Sequence, residues 1–236
     1  MVEPRKKTWR EKKRVSNNER KAERDRRRYW DISGKGDDAG NKLFQNAVDE
    51  WTGKMSEDEK RDVGVYTGYK YEDINKYLRD ESMGSGEWPS MEEIIKNATS
   101  GINKFTLEHD MYVFRRSTSD LLSELGLSFK AGDDVNAFVR EVQASVGSKV
   151  ADRGFVSTSV KHINWSGDVR YEIQVPKGTS CAYVDHISHN RGERELLLNR
   201  STEFKIVGAR VEKATEWFET DKPVVILRVV GRKNFK

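Results

Sequence analysis

The hydrophobic pattern of this chain changes period near Met111. Before that point apolar residues fall at helical spacings. Leu43, Phe44, Ala47, Val48 and Trp51 share one face, and Tyr71, Ile74, Asn75 and Leu78 share another. Ser56 and Glu59 stand three apart, as a capping box requires, so a helix is predicted to start there. A loop with Gly84, Gly86 and Pro89 leads to a further short helix over 91–99. After Met111 the runs become short and β-rich, at 111–115, 155–158, 171–175, 181–184, 195–198, 204–211 and 224–230. One helix, over 135–146, interrupts them. Helices first and strands later predict an α+β domain with a mostly antiparallel core, with no internal repeat.

Charge is distributed as unevenly as hydrophobicity. Residues 1–30 hold thirteen Lys or Arg against five Asp or Glu, whereas the whole 236-residue chain is only +4, so the remainder is net acidic. The segment from Trp9 to Trp30 is polar nearly all round and has no stripe to bury. It has two readings: an electrostatic handle for nucleic acid, an acidic protein or an anionic surface, or a solvated tail. Residues 31–41, with Gly34, Gly36 and Gly40 among polar neighbours, read as a linker. The expected organisation is a basic segment and linker over 1–41 and a catalytic domain over 42–236. No apolar run reaches the ~20 residues of a membrane span. The first residues lead into charge, so no secretory signal peptide is expected. The chain is expected to act in the cytoplasm where it is made, or to enter a target cell by a route that reads no such signal. Its one cysteine, Cys181, excludes an intrachain disulfide and reads as a small buried filler.

Several short motifs then follow one another in order. Phe114-Arg115-Arg116 ends the first predicted strand, and Phe155-Val156-Ser157-Thr158-Ser159 forms the second. An alternating strand ends in Pro176-Lys177, Cys181-Ala182-Tyr183 comes next, and a loop closes on Gly192-Glu193-Arg194-Glu195 before Leu197-Leu198-Asn199. Together these resemble the arginine, Ser-Thr-Ser and Glu-x-Glu set of mono-ADP-ribosyltransferases, most nearly the enzymatic components of clostridial actin-modifying binary toxins, over roughly residues 60–212. The resemblance implies the ADP-ribosyltransferase fold, a mixed and mostly antiparallel two-sheet core with N-terminal helices packed on it. It also implies NAD as substrate with no metal, a toxin or effector role in virulence, and a protein acceptor, actin above others. Tyr66, Tyr71 and Asn75 match the helix with which that family covers NAD, and Arg115, Arg116, Phe155 and Ser157 match its other cofactor contacts.

The residue types suit that chemistry. A guanidinium at a strand end binds pyrophosphate with paired, charge-assisted hydrogen bonds, a role for Arg115. Cleaving the nicotinamide–ribose bond passes through an oxocarbenium-like state, which a fixed carboxylate stabilises; Glu195 fits, held in one rotamer by Ser157. An arginine acceptor must lose a proton as it bonds, because its pKa lies above ~12. Glu193 would take that proton, on the argument that alternate residues of an extended segment share a side. In the resembled family, glutamate at the first position of Glu-x-Glu accompanies arginine as acceptor.

Taken singly, each residue also has an ordinary reading. Arg115 could cap an edge strand, Ser157 and Ser159 could be hydroxyls on a solvated face, and the two glutamates a surface pair. Tyr66 and Tyr71 could be core aromatics. His186 and His189 read as target contacts or as nothing, and Trp165 is given no role. Asp120 and Gly154 depart from the resembled family, which has glutamine and asparagine there, and no second domain of similar fold precedes the motifs. Two alternatives remain beside the actin-directed enzyme. One is a phage or bacterial effector modifying arginine on transcription or translation proteins; the other is an inactive nucleotide- or nucleic-acid-binding module of the same fold.

Overall fold

The computed structural model describes residues 28–80, 89–162, 165–214 and 220–235. Most of the basic run and the loop at Gly84 and Gly86 lie outside them. Four helices come first: α1 Ala39–Lys54, α2 Glu57–Val65, α3 Tyr71–Arg79 and α4 Pro89–Asn103. A single π-helical turn, Tyr66–Lys70, joins α2 to α3, with Gly68 at a non-helical φ of −95° and ψ of −108°. The capping box forms as the sequence predicts. The Glu59 amide donates to Ser56 Oγ at 3.2 Å and the Ser56 amide donates to Glu59 Oε2 at 2.7 Å, so two orphan donors of α2 are satisfied.

The strands are β1 Met111–Ser117, β2 Lys149–Ala151, β3 Val156–Ser159, β4 Val169–Val175, β5 Cys181–Tyr183, β6 Glu195–Leu198, β7 Thr202–Glu212 and β8 Lys222–Arg232. A 3-10 turn, Asp120–Leu125, and helix α5, Val135–Ala144, lie between β1 and β2. The strands are ordered β2-β7-β8-β4-β1-β3-β6-β5, antiparallel throughout except for the β4–β8 pair. The expected pair of sheets is thus one continuous ladder with a narrow joint. β1 and β4 pair over seven residues, whereas β1 meets β3 at Phe114↔Ser159 alone. The β3-β6-β5 part is thus joined to the larger part through one residue pair, beside the strand that carries Arg115.

Every predicted strand is present, within two residues at each end. The missed strand, β2, has three residues with Lys149 exposed, too few to show a period. The helices pack their apolar faces on the sheet. Trp51 is 1% exposed and its indole N–H donates to the Gly101 carbonyl at 2.7 Å, while Phe44 stacks on Tyr183 at 4.6 Å.

Residues 28–38, read from sequence within a tail and linker, form a strap that is packed on the domain at Tyr29 and Ile32 and exposed over 34–38. Trp30 forms a parallel bridge to Met111, with backbone hydrogen bonds of 2.8 and 3.0 Å on its two sides. Tyr29 is buried with Tyr112 and Phe114, and Ile32 enters the main core. Further along, the Asp37 carboxylate pairs with Lys161 at 2.6 Å. Helix α1 already begins at Ala39, where a Cβ on the next residue, Gly40, would lie 2.8 Å from the Tyr183 hydroxyl oxygen. The glycines that suggested a linker include one required for close packing.

Candidate active site

The pairing of β3 with β6 builds the centre of the site. Ser157 is opposite Leu197 and Ser159 opposite Glu195, so Ser157 and Glu195 are diagonal neighbours across an antiparallel pair. Glu195 is 4% exposed. Burial pushes its carboxyl up to about 7; hydrogen bonding from Ser157 and the Arg115 charge oppose the rise, and Glu193 and Asp185 add to it. A carboxylate kept out of water beside a hydroxyl and a guanidinium is suited to stabilise a cation developing beside it.

A hydrogen-bonded chain fixes β3 from the helix side. Asn75 on α3 accepts from the Phe155 amide at 2.9 Å and donates to the Tyr66 hydroxyl at 3.0 Å. Tyr66 is 1% exposed and rests its ring on Phe155 at 4.8 Å. Burial raises its phenol first and the Glu195 charge raises it further, so it acts as a hydrogen-bonding strut beneath the site. Gly154 follows from this packing, because a Cβ there would stand 2.5 Å from Asn75 Oδ1. The departure from asparagine noted at this position makes room for Asn75.

Arg115 donates from Nη1 to the Ser157 carbonyl at 2.7 Å and from Nη2 to Ser117 Oγ at 3.3 Å. It lines a cleft of about 800 Å³ with Tyr71, Glu72, Asn75, Lys76, Arg79 and Asp80. Arg79 is bound at both ends of its guanidinium to Asp152, each contact 2.8 Å, so Arg115 and Lys76 are the cations more readily turned to a phosphate. Arg116, next along the strand, points to the other face. It donates to the Gly167 carbonyl at 2.7 Å and anchors the β3–β4 loop. Gly167 has φ +137°, and a Cβ there would lie 2.5 Å from the Ser117 backbone. Asp120 accepts from Thr118 Oγ1 at 2.7 Å and its charge reaches Arg79 and Tyr171.

Glu193 is half-buried and accepts a hydrogen bond from Trp165 Nε1 at 3.2 Å. Tyr71 donates to Glu72 at 2.9 Å; that bond does most to raise its phenol, and the Glu193 charge adds a smaller part. The Glu193 charge also acts on Glu195, but Glu193 does not stand on the extended segment that the sequence suggested. Arg194 between them is left-handed, with φ +52°, and β6 starts only at Glu195. A kinked turn replaces the extended segment.

Three residues of this region gained no role from sequence alone. Trp165 holds Glu193; Arg194 makes the kink; and Asp185, 3% exposed, accepts from the amides of Gly192 and Arg194 at 3.0 and 2.8 Å. Asp185 carried a readable signal, an acidic residue directly after the apolar run 181–184. His186 rests edge-on against Trp51 at 5.7 Å with burial lowering its pKa, so it belongs to the interior, while exposed His189 lies over Gly68. Among the described residues no three His, Cys, Asp or Glu side chains gather to hold a metal, and no helix is long and apolar enough to cross a membrane.

A family model described as ADP-ribosyltransferase exoenzyme matches residues 40–231. The NAD(+)-arginine ADP-ribosyltransferase EFV of Enterococcus faecalis is 29% identical over 170 residues. That match takes in 71% of this chain and 32% of the relative, so the chain spans about a third of the curated relative's length. Plx2a, an ADP-ribosyltransferase toxin from Paenibacillus larvae, superposes with a TM-score of 0.72 at 24% identity, covering 83% of this chain and 96% of Plx2a. BECa, an ADP-ribosylating toxin of a binary enterotoxin of C. perfringens solved with NADH, gives 0.70 at 24% identity, covering 81% and 48%.

Proposed function

This chain belongs to the ADP-ribosyltransferase exoenzyme family, and from that premise we propose that it moves ADP-ribose from NAD to an arginine side chain of a protein, with actin the first acceptor to test. The observation that carries the reading is the grouping of three side chains: Glu195, buried, stands diagonally across the β3–β6 pair from Ser157, and Arg115, which lines the cleft, holds the Ser157 carbonyl at 2.7 Å. Arginine as acceptor is supported by glutamate at position 193 and by the arginine-directed activity of the Enterococcus relative. Actin is supported by the sequence resemblance to clostridial binary toxins.

In this reading NAD lies in the cleft between α3 and β1. Arg115 turns from Ser117 towards the pyrophosphate, and Tyr71 and Asn75 close the helix side. Glu195, ionised, hydrogen-bonds the ribose and faces C1′ as the bond to nicotinamide breaks. The electron pair of that bond leaves with nicotinamide, and the oxocarbenium-like centre is stabilised by the carboxylate. An acceptor guanidinium nitrogen forms the new bond to C1′ and gives its proton to Glu193. Water in place of the acceptor gives ADP-ribose and free nicotinamide, so an NAD glycohydrolase side activity accompanies the transfer.

The test is transfer of labelled ADP-ribose from NAD to purified actin and to bacterial and eukaryotic lysates, by the native chain and by Glu195→Gln. A labelled band from the native chain alone is the expected result, and its mass reports the acceptor. Absence of both labelling and NAD consumption would leave a nucleotide-binding module of this fold.

A further inference from the structure

The Glu193-Arg194-Glu195 turn is held by more than its strand. On one side its carbonyls are fixed: Ser159 Oγ donates to the Glu193 carbonyl at 2.7 Å, and the Val160 amide donates to that of Arg194 at 3.1 Å. On the other side Asp185 accepts from the Gly192 and Arg194 amides and, at 2.6 Å, from Arg194 Nη1. Arg194 also donates from Nε to the Asp37 carbonyl at 2.8 Å, which ties the turn to the N-terminal strap. A left-handed φ is unfavourable for a side chain with a Cβ and persists where surrounding contacts determine it. Here one residue supplies both the strained backbone and the guanidinium that secures it.

We propose that Arg194 and Asp185 form a positioning clamp that sets where Glu193 stands relative to Glu195, and so decides what share of NAD turnover ends on an arginine acceptor and what share on water. This rests on the transferase reading above. Glu195 is fixed independently by β6 and by burial, so loosening the turn leaves the cleavage step nearly intact. Among the described residues, Glu193 has a single side-chain hydrogen bond, from Trp165, and no strand pairing of its own. Misplacing it by about 1 Å is enough to slow proton removal from the acceptor on the order of a hundredfold. Neither Arg194 nor Asp185 needs to touch NAD or the acceptor.

The experiment uses the full chain with Arg194→Ala and Arg194→Gly. It measures NAD hydrolysis without acceptor, transfer to agmatine as a free guanidine acceptor, and amide hydrogen exchange over residues 185–196. Alanine loses the guanidinium and keeps the strained Cβ; glycine loses the guanidinium and relieves the backbone. The expected result is that both variants lose about tenfold or more in transfer while hydrolysis stays within about threefold of native, with faster exchange at residues 192–194. Equal losses in hydrolysis and transfer, an unchanged ratio, or full transfer by Arg194→Gly would overturn the clamp while leaving the transferase reading intact. A native chain that consumes no NAD would overturn that reading and the proposal with it.

Discussion

Two carboxylates two residues apart in sequence are held by different means. Glu195 opens a strand paired on both sides, to β3 through Ser159 and to the end of β5 through the bond from the Val184 amide to its own carbonyl at 3.0 Å. Glu193 stands in a turn whose shape depends on Asp185, Arg194 and the side chain of Ser159. Backbone ladders tolerate side-chain changes around them, whereas a turn held by a few polar side chains does not. On the roles proposed above, the bond-breaking group is built into the sheet, and the group that serves the acceptor is built into a turn held by side chains.

The sharpest way to break this comparison is to alter the sheet-held member. Glu195→Gln should lower NAD hydrolysis and transfer together by about a thousandfold or more, because it removes the charge facing the oxocarbenium-like centre. If hydrolysis survives in this variant while transfer disappears, the two roles are exchanged. A smaller effect is expected at the other wall of the cleft. Arg115→Lys keeps the charge but cannot offer a two-pronged contact, so KM for NAD should rise by roughly tenfold to a hundredfold with a lesser fall in kcat. Titration calorimetry with NAD would check whether the loss lies in binding.

The smallest effect concerns pH. Glu195 is held up to about 7 against an ordinary 4.5, so its neutral form is favoured by folding. Its contribution to stability is therefore complete below the unfolded value and is lost as pH climbs through about 7, by up to about 3 kcal/mol above pH 8. Catalysis has the opposite need, since the ionised form faces the cation. kcat/KM for NAD should rise with pH through about 7, and Glu195→Gln should unfold at a higher temperature than the native chain at pH 8, with a smaller difference near pH 5. A flat stability difference across that range would mean that Glu195 is not the buried titrating group.

Much of this organisation was legible in the sequence because it follows from local periodicity. The Ser56/Glu59 box, the change of period at Met111 and the β-rich run over 204–211 depend on neighbours in the chain, and the structure has all three. What the sequence hid depends on partners far away. The strap at 28–38 was obscured by Gly34, Gly36 and Gly40, while the residues that anchor it, Tyr29 and Ile32, are single apolar positions, and the partners of Tyr29, Tyr112 and Phe114, lie more than eighty residues on. The site residues Arg115, Ser157 and Glu195 were marked by motif order, and the structure brings them together. The kink at Arg194 was not visible, since nothing marks a non-glycine residue for left-handed backbone until Asp185 is seen beneath it. Extended alternation predicted that the two glutamates share a side, and the kink at Arg194 replaces the extended geometry on which that expectation rested.

The most direct test of the central claim is a parallel measurement of NAD hydrolysis and of transfer to agmatine by Glu193→Gln. The division of labour predicts that transfer falls by about a hundredfold while hydrolysis stays within about threefold of native. Loss of both activities to the same degree would contradict it, and would make the two carboxylates one catalytic unit.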